Sequence, residues 1–189
     1  GSAFSVVDIL AVLYSGGANI HLNNCNKPNR DIVILSKGHA AAALYAVLAI
    51  RGFIPRDWLK TYSLDGGALG GHVTSSGVPG VELSTGSLGH GFPYGVGIAL
   101  SRRNKNKSGH IFVVISDGEC DEGTTWESAM IANHNSLSNL TVIVDRNRIQ
   151  SRLLQRPPQH HYQLKTKIKK GYKNRKQVVN GNFHYFFVK

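Results

Sequence analysis

His110-Ile111-Phe112-Val113-Val114-Ile115 runs directly into Ser116-Asp117-Gly118-Glu119, and Leu140-Thr141-Val142-Ile143-Val144 runs directly into Asp145-Arg146-Asn147. Each is a short apolar run rich in β-branched residues, the pattern of a strand buried on both faces, and each stops at a polar turn. Glu127 to Asn133 between them reads as helix. Strand, helix and strand within about 35 residues make one βαβ unit, so the expected sheet is parallel. Both polar turns then fall at its carboxyl edge, where open α/β sheets bind ligands.

The same reading extends outward. Asp31-Ile32-Val33-Ile34-Leu35 is another buried-type strand, closed by Ser36-Lys37-Gly38-His39 and followed by an Ala- and Leu-rich helix over Ala40–Ile50 that stops before Gly52. Phe4, Val7, Leu10, Leu13 and Tyr14 recur at helical spacing and end at Ser15-Gly16-Gly17, which predicts an amphipathic opening helix. Leu64 to Gly97 is rich in glycine, and long loops of this kind are usually functional or mobile. Its end, from Gly89 to Arg103, turns helical, with Gly95 and Gly97 allowing close packing. The predicted class is α/β, a parallel sheet flanked by helices, with no internal repeat.

Charge divides the chain at Gln150. The net charge of +11 is almost wholly in the tail: up to Gln150 there are 12 Lys/Arg against 11 Asp/Glu, and Ser151–Lys189 adds 10 Lys/Arg with no acid. The expected division is a body over 1–150 and a basic, poorly ordered tail over 151–189, whose periodicity dissolves and whose one apolar stretch is Phe183 to Val188. That abrupt change fits a frameshifted or foreign continuation. A nucleic-acid-binding arm is the rival, but no RNA-binding motif accompanies the charge. No apolar run is long enough for a membrane span. Cys25 and Cys120 have neither disulfide-framework nor zinc spacing, which points to a reducing, cytoplasmic setting, and no signal peptide is visible.

Asp117 and Asn147 end adjacent strands and can face one site. One carboxylate, one amide oxygen and a backbone carbonyl suit Mg²⁺, with a diphosphate and water completing an octahedron. Gly118 lets the backbone approach, and the following helix offers its N-terminus. An isolated Asp-Gly is most often an ordinary turn; two strands with matched turns change those odds.

Leu35-Ser36-Lys37-Gly38-His39-Ala40, Gly70-Gly71-His72, Ser84-Thr85-Gly86-Ser87-Leu88-Gly89-His90-Gly91 and Asp117-Gly118-Glu119-Cys120-Asp121-Glu122-Gly123 with Trp126-Glu127 resemble the N-terminal, thiamine-diphosphate-binding part of transketolases, especially split bacterial and archaeal forms. The resemblance runs from Ser2 to about Gln150. It implies a thiamine-diphosphate-binding fold, incomplete at both ends, in an enzyme that moves a two-carbon ketol unit between sugar phosphates. Asp117, Asn147 and the Ile149 carbonyl would hold Mg²⁺ or Ca²⁺. Gly118 and Glu119 would meet the diphosphate through their backbone, with His39 beside it. Gly86, Ser87 and Leu88 would line the aminopyrimidine and thiazole pocket. His39 and His72 would face the reacting carbon as proton carriers, and Glu122 and Glu127 would be interface acids coupling two sites.

Each role has a structural rival: His39 as a helix cap, His72 as a solvated loop residue, Glu122 and Glu127 as first-turn acids favoured by the helix dipole. His90 reads as structural and Cys120 as inert. Ser116 stands where the family usually has Gly, which crowds the strand end. The implied partner is a C-terminal transketolase subunit carrying the pyrimidine-binding domain and the activating glutamate, within a homo- or hetero-oligomer. A deoxyxylulose-phosphate synthase and a non-catalytic remnant with a nucleic-acid-binding tail are the alternatives.

Overall fold

The computed structural model describes residues 2–146, 177–179 and 183–188. Strands β1 (Ile32–Leu35), β2 (Ile111–Ser116) and β3 (Leu140–Asp145) form the parallel sheet the sequence predicts. Ile34 pairs with Val113, and Val113 with Val142, so the three strand ends lie side by side. Most of the basic tail lies outside the described residues. Within it, β4 (Gln177–Val179) and β5 (Phe183–Val188) extend the order to β1-β2-β3-β5-β4, with β5 parallel to β3 and β4 antiparallel to β5.

Strict alternation along the strands splits the core in two. Val33, Leu35, Val114 and Ile143 pack beneath α2 (Val7–Val12) and α3 (Ala41–Ile50), while Ile32, Ile34, Ile111, Val113, Ile115, Val142 and Val144 meet α4 (Gly91–Asn104) and α5 (Gly123–His134). Apolar side chains on both faces explain the unbroken hydrophobic runs. Each fully buried Val, Leu or Ile contributes about 1.5–3 kcal/mol. Gly95 sits where a Cβ would come within 2.4 Å of Val113 Cγ2, so α4 can lie this close only with glycine there. Gly97 faces open space instead, and its expected packing role does not hold.

Three helices stop in the same way. After α3, Phe53 N–H donates to Leu48 O (2.9 Å) and Gly52 N–H to Ala49 O (3.2 Å), a Schellman cap with Gly52 at φ 78°. After α4, Lys107 N–H reaches Arg102 O (2.9 Å) with Asn106 at φ 49°, and after α5, Leu137 N–H reaches Ala132 O (3.1 Å) with Ser136 at φ 48°. Only the Gly52 stop is visible as a sequence signal, because Asn and Ser serve the same left-handed position at a steric cost.

Two helix expectations change. The opening segment is broken at Val6 between α1 (Ser2–Ser5) and α2, and a wider turn over Leu13–Gly17 closes it. Its buried stripe is Val6, Ile9, Leu10, Leu13 and Tyr14, and Phe4 (84% exposed) and Val7 face solvent. That stripe has the full 3-4-3-4 helical spacing, which an alignment on Phe4 and Val7 misses by part of a turn. Helix α5 starts at Gly123, four residues before the expected Glu127. The weak helix formers of its first turn are held by tertiary bonds: Thr124 Oγ1 to Gly89 O (2.8 Å), Thr125 Oγ1 to Glu119 O (2.7 Å) and Trp126 Nε1 to Cys120 O (2.8 Å).

Candidate active site

The parallel sheet delivers three turns to one edge. Ser36-Lys37-Gly38-His39 follows β1, Asp117-Gly118-Glu119 follows β2, and Asp145 ends β3. Asp117 N–H donates to Asp145 O (3.2 Å), which fixes the two β-strand exits against each other. Asn147 and Ile149 lie outside the described residues, so of the three expected metal ligands Asp117 alone can be placed.

The Asp117 carboxylate is 4% exposed, and its Oδ1 accepts Gly118 N–H at 3.1 Å. A Cβ on Gly118 would meet only Ser116 Oγ, at 3.8 Å, so the backbone there is open to a ligand's oxygen. The surroundings are acidic. Burial first, then Asp117, Glu119 and Asp121, push the Cys120 thiol up to about 12, so Cys120 is inert as expected. A diphosphate would be repelled by these carboxylates unless a divalent cation lay between, and a buried carboxylate oxygen is a donor of the kind Mg²⁺ prefers. The residues present fit such a group. Among the described residues no cluster of three or more His, Cys, Asp or Glu forms a different metal site.

The glycine-rich loop crosses this edge as a short arch. Its first foot is Thr85, whose Oγ1 donates to Leu35 O (2.6 Å) and whose N–H donates to Val73 O (3.0 Å). Its second foot is Gly89, at φ 76°, where a Cβ would strike Thr124 Oγ1 at 2.5 Å and Glu122 Cβ at 2.7 Å. Gly86, Ser87 and Leu88 span the interval. Gly38 permits the approach, since a Cβ there would lie 2.1 Å from Thr85 O.

His39 and His72 come to the same place. Gly38 O accepts Val73 N–H (3.2 Å), joining the segments that carry the two rings, and the His72 ring lies against Gly86, 3.2 Å from where its Cβ would be. Tyr45 OH donates to His72 O (3.0 Å) and accepts Thr74 N–H (3.1 Å), which anchors the His72 turn from below. Both rings reach solvent. Desolvation, then the Lys37 ammonium, then His72 hold the His39 pKa below the ordinary histidine value, so His39 is a neutral proton acceptor at pH 7. The N-cap positions of α3 and of the turn before it are Ala40 and Lys37, and neither is His39.

Glu122, against the second foot of the arch at Gly89, and Glu127, further along α5, are both exposed. Glu127 neighbours Trp126, Met130 and Ile131, which are also exposed. His90 Nδ1 bonds its own loop at Leu88 O (2.9 Å), in keeping with a structural role. A groove of ≈ 630 Å³ along α4, lined by Pro93, Tyr94, Ile98 and Lys105 among others, contains none of the expected site residues.

The sequence reading overlooked the buried charges under the edge. Lys37 (0% exposed) meets Asp145 (4% side-chain exposure) at 2.5 Å, and Ser5 Oγ donates to the same Asp145 oxygen at 2.5 Å. Ser116 departs from the expected crowding, because its hydroxyl turns toward Glu119, accepting Glu119 N–H at 3.2 Å.

Residues 1–152 match the family model described as transketolase, thiamine diphosphate binding domain. The chain belongs to the transketolase family. It is 43% identical over 150 residues to an apulose-4-phosphate transketolase subunit from Actinobacillus succinogenes, an overlap of 79% of this chain and 54% of that relative. The 6-deoxy-6-sulfo-D-fructose transketolase subunit SqwG of a Clostridium species is 39% identical over the same shares. Transketolase from Leishmania mexicana superposes with a TM-score of 0.71 at 29% identity, covering 82% of this chain and 26% of that one. The chain thus spans about half the length of the curated transketolase subunits it matches. No helix among the described residues is long and apolar enough to cross a membrane.

Proposed function

We propose that this chain is the diphosphate- and metal-gripping part of a transketolase-like enzyme that moves a two-carbon ketol unit between phosphorylated sugars, acting with a C-terminal partner subunit. The observation that carries the reading is the convergence of Asp117, the Gly86–Leu88 arch, His39 and His72 on one edge of a parallel sheet. Asp117, Asn147 and the Ile149 carbonyl hold Mg²⁺, for which Ca²⁺ can substitute. Gly118 lets the diphosphate approach the backbone, and Gly86, Ser87 and Leu88 receive the two rings. When bound, thiamine diphosphate supplies the carbon nucleophile and the electron sink that ketol transfer needs.

The chain's own contribution is grip and proton handling. His39, held neutral, accepts a proton from a substrate hydroxyl near pH 7, and His72 beside it carries the second proton transfer. Glu122 and Glu127 lie on the face turned to another subunit. The two relatives above are subunits of enzymes named for apulose 4-phosphate and 6-deoxy-6-sulfo-D-fructose, so a modified ketose is a substrate class to include beside the common sugar phosphates. Free Cys25 and Cys120 suit a cytoplasmic protein.

A ketol-transfer assay with and without a C-terminal transketolase subunit tests this. Transfer is expected only from the pair, because no glutamate here fits the residue that activates the aminopyrimidine. Transfer by the purified chain alone, or equal transfer from a pair carrying His39→Ala, would overturn the assignment.

A further inference from the structure

Glu119 was expected to serve the cofactor through its backbone, but its side chain has the more unusual position. It is 0% exposed, with no cation bonded to its carboxylate among the described residues, and its two oxygens accept four hydrogen bonds. Oε1 takes Ser36 Oγ–H, in a very short bond, and Gly89 N–H at 3.1 Å. Oε2 takes Ser116 N–H at 2.8 Å and Ser116 Oγ–H at 3.3 Å.

Ser36 Oγ accepts Gly91 N–H (3.1 Å) and turns its own proton to Glu119. Ser116 Oγ likewise accepts Glu119 N–H (3.2 Å) and donates to the carboxylate. An ionised carboxylate offers acceptor sites for all four donors. Charge-assisted bonds of this kind are the strong ones, and a buried set is costly to leave half satisfied.

The four bonds join three separate pieces of the edge: the turn after β1 through Ser36, the turn after β2 that holds Asp117 through Ser116, and the second foot of the arch through Gly89 and, by way of Ser36, Gly91. Taking the cofactor reading above as its premise, we propose that Glu119 is a positioning residue: its buried carboxylate ties the Gly86–Leu88 arch to the Asp117 turn, and so sets the spacing between the ring pocket and the metal before any ligand arrives. Thr85 fixes one foot of the arch to β1 by its Oγ1 bond to Leu35 O, and Glu119 fixes the other. Preorganisation of this sort lowers the ordering cost of binding.

Glu119→Gln keeps the size of the side chain but turns one acceptor into a donor facing donors. In the ligand-free 189-residue chain, amide exchange at Gly89 and Gly91 is expected to accelerate about tenfold or more, as for loss of a charge-assisted bond, while Val113 in β2 keeps its protection. Titrated with thiamine diphosphate and Mg²⁺, the same variant is expected to bind about tenfold more weakly. Ser36→Ala, a milder cut, should accelerate Gly91 most and weaken binding less; it decides the matter if Glu119→Gln exposes Val113 as well. Unchanged exchange at both glycines, or an unchanged dissociation constant in a variant that keeps Val113 protected, overturns this inference alone. Absence of binding by the unaltered chain overturns the cofactor reading and this inference with it.

Discussion

Replacing Lys37 by Met would leave the Asp145 carboxylate buried beneath the site with the Ser5 hydroxyl as its one remaining side-chain hydrogen-bond donor among the described residues. The pair is 0% and 4% exposed, so solvent screening offers little relief. Removing one partner of a buried pair costs about 3–5 kcal/mol, and the surviving Ser5 bond places this case at the lower end, about 3 kcal/mol. That is a large part of the stability of an ordinary domain. Urea unfolding followed by the fluorescence of Trp58 and Trp126 should show a lower midpoint with a similar slope. Lys37→Met with Asp145→Leu should regain most of the loss, since an apolar pair of similar volume often replaces a buried ion pair without penalty. Lys60→Met is the control: its partner Asp57 and Lys60 itself are 85% and 81% exposed, and such a pair contributes about 0.5 kcal/mol or less. A Lys37→Met loss no larger than the Lys60→Met loss would refute the reasoning.

Ser136→Gly should stabilise the chain by about 0.5–1 kcal/mol, because Ser136 holds a left-handed φ of 48° that glycine adopts freely; a lower urea midpoint would contradict this. Tyr14→Phe should be neutral or stabilising by up to about 1 kcal/mol in the same assay, since the buried Tyr14 hydroxyl meets no hydrogen-bond partner among the described residues. His39 should titrate below the ordinary histidine value by NMR. Because the folded state disfavours its charged form, its contribution is whole above the unfolded pKa of about 6.5 and is lost as pH falls below that value through the lowered folded pKa. The stability of the unaltered chain should therefore fall relative to His39→Gln between pH 7.5 and 5, and a gap that widens in its favour on acidification would contradict the assignment.

The sheet was legible because buried parallel strands must be apolar on both faces, and Ile32–Leu35, Ile111–Ile115 and Leu140–Val144 announce themselves by that alone. The ends of α4 and α5 fall one residue beyond the expected Arg103 and Asn133, but the left-handed caps behind them were not legible, because Asn106 and Ser136 occupy positions where glycine is the usual marker. The first turn of α5 was hidden for a related reason: Thr124, Thr125 and Trp126 are held by bonds to residues outside the helix, which periodicity cannot register. At the site, Asp117, His39 and His72 could be named from motifs. The Lys37–Asp145 pair and the Glu119 hub join turns 83 to 108 residues apart, and sequence spacing carries no trace of such contacts.

Calorimetric titration of thiamine diphosphate into the 189-residue chain, with Mg²⁺ and with the metal chelated, compares the unaltered protein with Asp117→Asn. The predicted result is binding that requires the metal and falls by at least about tenfold in the variant, as expected for loss of a charged ligand from the coordination shell. Binding indifferent to Mg²⁺, or to the loss of the Asp117 carboxylate, would contradict the assignment of this edge as a metal-diphosphate grip.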